Sequence, residues 1–219
     1  MGFYKVTGAV VIILITVLSF VACKNPSSNP QSASSVNPES SASSGKGKAI
    51  FAGGCFWCME PPFDNLDGVI STTPGYTAGH QKQPTYRQVS SGRTGHTEAI
   101  EIIYDPSKIS YEKLLEVFWL NIDPLDDKGQ FCDYGTQYRS GIYYLDDQQK
   151  NLAEDSLKRV RQKLNRPIAT EIKAASKFYP AEDYHQDYYI LNPVRYNYYR
   201  WRCGRDQRLK QIWGEQADQ

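Results

Sequence analysis

The chain has 219 residues, with 25 Lys and Arg set against 24 Asp and Glu for a formal charge of +1. A balance this close to zero, without a basic block, gives no reason to expect nucleic-acid binding. The length allows one domain with a proper hydrophobic core, once the segments that cannot fold are set aside.

Those segments come first. Lys5 gives a weakly basic start, and Val10 to Val21 is a nearly continuous apolar run, too short for a comfortable transmembrane span. The run closes on Phe20-Val21-Ala22-Cys23, which resembles a bacterial lipobox, so residues 1–23 are expected to be a lipoprotein-type signal peptide with Cys23 lipidated. Residues 24–46 are rich in Ser, Asn and Pro and hold almost no large apolar side chain. Such a stretch cannot bury enough surface to fold and is expected to act as a disordered tether. The folded domain is expected over 47–214, with a short tail at 215–219.

Within the domain, short apolar runs predict strands at Lys48–Ala52, Val69–Tyr76, Thr97–Tyr104, Gly141–Leu145 and Thr170–Ala174. A helix is predicted over Ser110–Asp123, capped by Ser110, and a second over Asp147–Leu164 with Leu152, Leu157, Val160 and Leu164 on its buried stripe. Helix is also predicted for Ala181–Leu191 and Gln207–Trp213. Pro61 and Pro62 are awkward inside the helix expected after Cys55, and they are expected either to move its regular start to Met59 or Glu60 or to distort its first turn. Strands and helices mixed without a strict βαβ repeat indicate an α+β fold: an α/β two-layer sandwich with a mixed, partly antiparallel sheet, flanking helices and a single domain. The tyrosines concentrated from Tyr184 to Tyr199, interleaved with Arg195, Arg200 and Arg202, read as a packed aromatic cluster with snorkelling arginines.

The most informative run is Gly53-Gly54-Cys55-Phe56-Trp57-Cys58-Met59-Glu60, between a strand and a helix. A thiol at such a turn lies near unpaired backbone N–H groups and a positive helix end, and both favour the reactive thiolate. Cys58 is close enough in sequence to form a disulfide with Cys55. Redox or nucleophilic chemistry fits this pattern best. Half of a zinc site and inert packing thiols remain as alternatives. Zinc is the weaker of these, because neither Cys132 nor Cys203 belongs to a second C-x-x-C pair.

The string GGCFWCMEPPF, then GYTAGH (75–80), PTYRQVSSGRTGHTEAIEIIYDP (84–106), GTQYRSGIYY (135–144) and FYPAEDYHQDYY (178–189), resembles in order the motifs of the A-type peptide methionine sulfoxide reductases. The resemblance spans about residues 47–214. It implies the same two-layer fold and reduction of methionine S-sulfoxide, free or in proteins. It also implies a Cys55 sulfenic acid resolved as an intramolecular disulfide, with no cofactor and no metal. By the same resemblance Cys55 is the nucleophile and Glu98 the acid. Tyr86 and Tyr138 are hydrogen-bond donors to the sulfoxide oxygen. Phe56 and Trp57 form the wall for the methyl group, and Asp133 helps to shape the pocket. His185 takes a supporting role.

Cys58 departs from the pattern, since many relatives carry Gly there and place the recycling cysteine in a Gly-rich tail. Here Cys203 is followed by Gly204-Arg205-Asp206-Gln207-Arg208-Leu209, which looks like a charged helix, so Cys58 is expected to be the resolver. Cys132 and Cys203 stand as possible secondary thiols, undecided between a relay and a structural link. The expected partners are methionine sulfoxide in peptides, a thioredoxin-like reductant and a membrane reached through the lipid anchor. The chain itself is expected to be monomeric and extracytoplasmic. Two rival functions remain: a C-x-x-C thiol–disulfide oxidoreductase, which leaves Glu98 and the tyrosines without a task, and a surface-displayed binding lipoprotein.

Overall fold

Ala49, Ile50, Phe51 and Ala52 are all at most 2% exposed, so this apolar run must lie where both faces are covered. It forms the heart of strand β1 (Gly47–Gly53), an inner strand of a six-stranded sheet. The structure, a computed structural model, describes residues 45–218. The expectations for residues 1–23, including Cys23, and for nearly all of the tether lie outside those residues.

The sheet adds β2 (Val69–Thr77), β3 (Thr97–Tyr104), β6 (Ser140–Tyr144), β7 (Glu171–Ala174) and β8 (Tyr179–Pro180), in the spatial order β7-β6-β1-β3-β2-β8. Only β6 and β7 run parallel; the other neighbours are antiparallel, which makes the sheet mixed as anticipated. Two short strands, β4 (Gly129–Gln130) and β5 (Asp133–Tyr134), form a separate hairpin.

On one face, α3 (Tyr111–Leu120) and α4 (Asp147–Leu164) enclose the main core. Phe118 of α3 meets Phe51 at 5.0 Å between ring centroids. Ser110 and Asp146 each accept a backbone N–H at the helix start, from Lys113 and Gln149, and so replace a missing intrahelical bond. Ile50, Ala52, Ala99 and Tyr143 pack a smaller cluster that Ala78, Ala175 and Phe178 cover.

The segment after Cys55 departs from the expected helix. It is a single 3-10 turn, Phe56–Cys58, followed by α1 (Pro61–Asp64), with Pro at the first helical positions where no N–H is needed. A continuous helix over Ala181–Leu191 also fails. Gln186 is extended and Asp187 is left-handed (φ 52), so a 3-10 turn at Asp183–His185 is separated from α5 (Tyr188–Leu191). Helices α6 (Pro193–Arg202) and α7 (Arg205–Trp213) follow, with Gly204 (φ 65) breaking them apart. The tyrosine cluster is only partly packed: Tyr188 and Tyr196 are buried, whereas Tyr184 and Tyr198 are exposed.

Candidate active site

Strand β1 ends at Gly53, and Gly54 (φ 82) turns the chain under Gln130, where a Cβ would lie 2.5 Å from the Gln130 Cβ. Only glycine combines that left-handed backbone with that approach. The turn delivers Cys55 just beyond the end of this inner strand, where the amide of Cys58 donates to the Cys55 carbonyl at 3.0 Å. Both thiols are free and buried, and they share a hydrogen bond.

Around Cys55 lies a cavity of about 70 Å³ lined by Cys55, Phe56, Trp57, Tyr86, Glu98, Asp133, Tyr138 and Tyr199. The sequence therefore anticipated seven of these eight wall residues, and they come from five parts of the chain. A larger hollow of about 330 Å³ between α3 and α4, around Trp119 and Lys163, holds no cysteine, so size does not locate the thiol chemistry.

Glu98 is the second residue of β3 and is 2% exposed. Its Oε2 accepts the Phe56 amide at 3.1 Å, which ties the acid to the residue after the nucleophile. Burial pushes its carboxyl up to about 8, against the Phe56 hydrogen bond, so it holds its proton at neutral pH. Burial and the Glu98 charge raise the Tyr86 and Tyr138 hydroxyls, which keeps both protonated as donors.

The two thiols behave differently from expectation. Burial, then the hydrogen bond with Cys58, push the Cys55 thiol well above the ordinary range. Cys58 is drawn down to about 7, first by the hydrogen bond from Cys55 and then, against burial, by Arg205 and Arg200. The anticipated activation of Cys55 by a helix end is absent, because Phe56–Cys58 is one 3-10 turn and the Phe56 amide is already spent on Glu98. The acidic thiol of the resting pair is Cys58.

His185 supports the aromatic wall. Its Nδ1 accepts the Trp57 indole N–H at 3.1 Å, and burial lowers its pKa, so the ring stays neutral and able to accept. Trp57 stacks on Tyr188 with ring centroids 3.8 Å apart.

The sequence reading missed four contributors. Tyr199 donates its hydroxyl to Asp133 Oδ2 and lines the cavity. Glu182 accepts the Tyr86 amide at 2.8 Å and the Tyr76 hydroxyl at 2.7 Å, which fixes the start of α2 (Tyr86–Ser90). Arg200 and Arg205 supply the positive charge near Cys58. Cys132 and Cys203 are not secondary thiols but are bonded to each other.

A buried cysteine, a second thiol hydrogen-bonded to it, a protonated carboxyl and tyrosine hydroxyls gathered at one small niche suit a thiol-dependent oxidoreductase. The comparisons with known proteins agree. The family model for peptide methionine sulfoxide reductase matches residues 47–217. A peptide methionine sulfoxide reductase MsrA from Bacillus licheniformis is 50% identical over 173 residues, covering 78% of this chain and 96% of that protein. The solved methionine sulfoxide reductase A of Corynebacterium diphtheriae is 35% identical with a TM-score of 0.65, covering 68% of this chain and 76% of that one. Mxr1 from Saccharomyces cerevisiae in reduced form is 32% identical with a TM-score of 0.64, covering 68% and 87%. The chain belongs to the peptide methionine sulfoxide reductase family, A type. It is an oxidoreductase that reduces methionine sulfoxide to methionine.

Proposed function

We propose that Cys55 attacks the sulfur of methionine S-sulfoxide while Glu98 gives its proton to the departing oxygen. The single observation that carries this reading is the buried, neutral carboxyl of Glu98 in the wall of the niche that Cys55 also lines. The cavity is too small for a peptide and fits only the methyl and sulfoxide head, with the rest of the substrate lying outside. Phe56 and Trp57 receive the methyl group. Tyr86, Tyr138 and the Asp133–Tyr199 pair surround the polar head and favour the polarised S–O bond.

The balance closes in three steps. The Cys55 sulfur bonds to the substrate sulfur as Glu98 protonates the sulfoxide oxygen, and the Cys55 thiol proton restores Glu98. The hydroxyl then passes to the Cys55 sulfur as the new S–S bond breaks, which leaves methionine and a Cys55 sulfenic acid, so substrate sulfur is reduced and cysteine is oxidised. Cys58 then attacks the sulfenic sulfur, a Cys55–Cys58 disulfide forms, and the oxygen leaves as water. A dithiol reductant of the thioredoxin class reopens that disulfide and carries away the oxidising equivalents.

A peptide carrying one methionine S-sulfoxide tests the reading against general disulfide exchange. The unmodified enzyme should release methionine from it and leave insulin disulfides intact, and Cys55→Ser should release none. Methionine formation by Cys55→Ser, or preferential reduction of insulin, would overturn it.

The address is proposed separately. The apolar run Val10–Val21, the sequence Val21-Ala22-Cys23 and the polar stretch 24–46 support a membrane-anchored bacterial lipoprotein working outside the cytoplasm. Its reductant is then an extracytoplasmic thioredoxin-like protein. Cys23→Ala should shift the protein from the membrane fraction to the soluble fraction. A mature N-terminus other than Cys23 by mass spectrometry would remove the anchor from the account.

A further inference from the structure

The Cys132–Cys203 disulfide has no part in the reaction above, yet it sits at the rim of the niche. It joins residues 71 apart in sequence, with Cα atoms 4.9 Å apart. One end lies in the tip of the β4–β5 hairpin. Gln130 pairs with Asp133 there, which leaves Phe131 and Cys132 as the turn. Phe131 holds φ +60, a left-handed backbone that a bulky side chain adopts only when its surroundings impose it. A hairpin this short cannot impose it alone.

Two contacts do. The Arg205 guanidinium lies over the Phe131 ring, 4.3 Å from its centroid. Arg205 is itself buried and donates to the carbonyls of Gly53 at 3.2 Å and Asn121 at 2.5 Å. The second contact is covalent, from Cys132 to Cys203 at the end of α6.

The geometry of the two ends gives the link its meaning. Asp133 follows Cys132 directly, and Tyr199 lies one helical turn before Cys203, on the same face of α6. Asp133 and Tyr199 hydrogen-bond to each other and both line the niche. The disulfide therefore brackets a pair of hydrogen-bonded side chains in the wall of the niche. We propose that Cys132–Cys203 is a permanent positioning cross-link: it holds Asp133 and Tyr199 for the sulfoxide head and takes no part in electron transfer. The inference rests on the sulfoxide reading of the niche. Opening the link in each cycle, as a relay demands, would release the strained turn and with it one wall of the pocket. Such a link persists in an oxidising compartment.

The test compares the unmodified enzyme, Cys132→Ala/Cys203→Ala, Tyr199→Phe and the triple combination in single-turnover release of methionine from a sulfoxide peptide. The double variant should raise the half-saturating peptide concentration roughly tenfold, the scale of one lost pocket hydrogen bond, with the saturating rate changed by less than about threefold. Tyr199→Phe should raise it similarly, and the triple variant should add little, since both changes break one unit. Sustained turnover with a dithiol should survive in the double variant. An unchanged half-saturation, additive effects, or arrest after one methionine would each overturn the proposal. Alkylation of the unmodified enzyme during turnover covers the case in which the double variant misfolds. Cys55 and Cys58 should acquire label while Cys132 and Cys203 remain joined, and label on the latter pair would overturn it. If the unmodified enzyme releases no methionine at all, the reading of the niche fails rather than the role of the link.

Discussion

Replacing Glu98 with Gln is expected to slow the first release of methionine by roughly 100-fold or more, the usual scale of lost general-acid help. The substitution keeps the size of the side chain and an oxygen able to accept the Phe56 amide, so the wall stays in place. What it removes is the proton. The unmodified carboxyl sits at about 8 because it is 2% exposed, and burial disfavours the charged form. Its raised pKa fixes the sign of the pH dependence. The acid is loaded below about 8, and the first-turnover rate should fall as pH rises through that value. The alkaline decline should vanish in Glu98→Gln, which has no proton to lose. Rapid-quench measurement of methionine between pH 6 and 10 gives both results, and a variant as fast as the unmodified enzyme at pH 7 would remove Glu98 from the acid role. The same burial has a thermodynamic cost of opposite use to the protein. Between the unfolded value of about 4.3 and the folded value of about 8, the native state binds the extra proton, so this residue's contribution to stability declines as pH rises.

The parts of the fold that the sequence announced are those in which local pattern and tertiary demand coincide. Thr97–Tyr104 and Asp147–Leu164 have the expected bounds. The first is buried over most of its length, and the second carries an Asp cap. The stripe expected on α4 is corrected in detail: of Leu152, Leu157, Val160 and Leu164 only Val160 is fully buried, beside Gln149, Ala153 and Ser156. Helix α6 was missed because Tyr196 is the only buried residue of its ten, so no apolar period appears. Asn192-Pro193 at its start and Arg200 and Arg202 near its end were the available signals. The break at Asp187 was not legible, since left-handed backbone at an Asp leaves no mark in the pattern.

For the site, the motifs carried the thiols, Glu98, Tyr86, Tyr138 and Asp133, because each lies within a short conspicuous string. Tyr199 and Arg205 lie in helices that look like surface. Tyr199 is one of 16 tyrosines, and Arg205 is a buried arginine in a run that composition reads as solvated. Their spacing from Cys203 was the one clue, and it has meaning only once Cys203 is known to be bonded to Cys132.

Cys58→Ser is expected to release about one methionine per enzyme and then stop when a thioredoxin-like protein is the reductant. Cys58 is in hydrogen-bond contact with Cys55, and the turn that holds them is closed by the 3.0 Å bond from the Cys58 amide to the Cys55 carbonyl. Little chain movement then separates this pair from a disulfide. No other described cysteine is free to compete, because Cys132 and Cys203 are joined. Charge agrees with geometry: Arg205 and Arg200 add to the Cys55 hydrogen bond in drawing Cys58 down to about 7, so a large fraction of it is thiolate at neutral pH. Arg205 and Arg200 still favour the Cys58 thiolate once Cys55 is oxidised, so the recycling rate should rise with pH as Cys58 loses its proton and then level off, opposite in direction to the Glu98 limb of the first step. The two steps can be separated on that basis by following methionine and the Cys55–Cys58 disulfide in parallel. A small dithiol supplied in excess should restore partial turnover to Cys58→Ser, because it can attack the Cys55 sulfenic acid directly. Cys55→Ser should show neither methionine nor disulfide. Normal recycling of Cys58→Ser by a thioredoxin-like protein would show that the oxidising equivalent leaves Cys55 by another route.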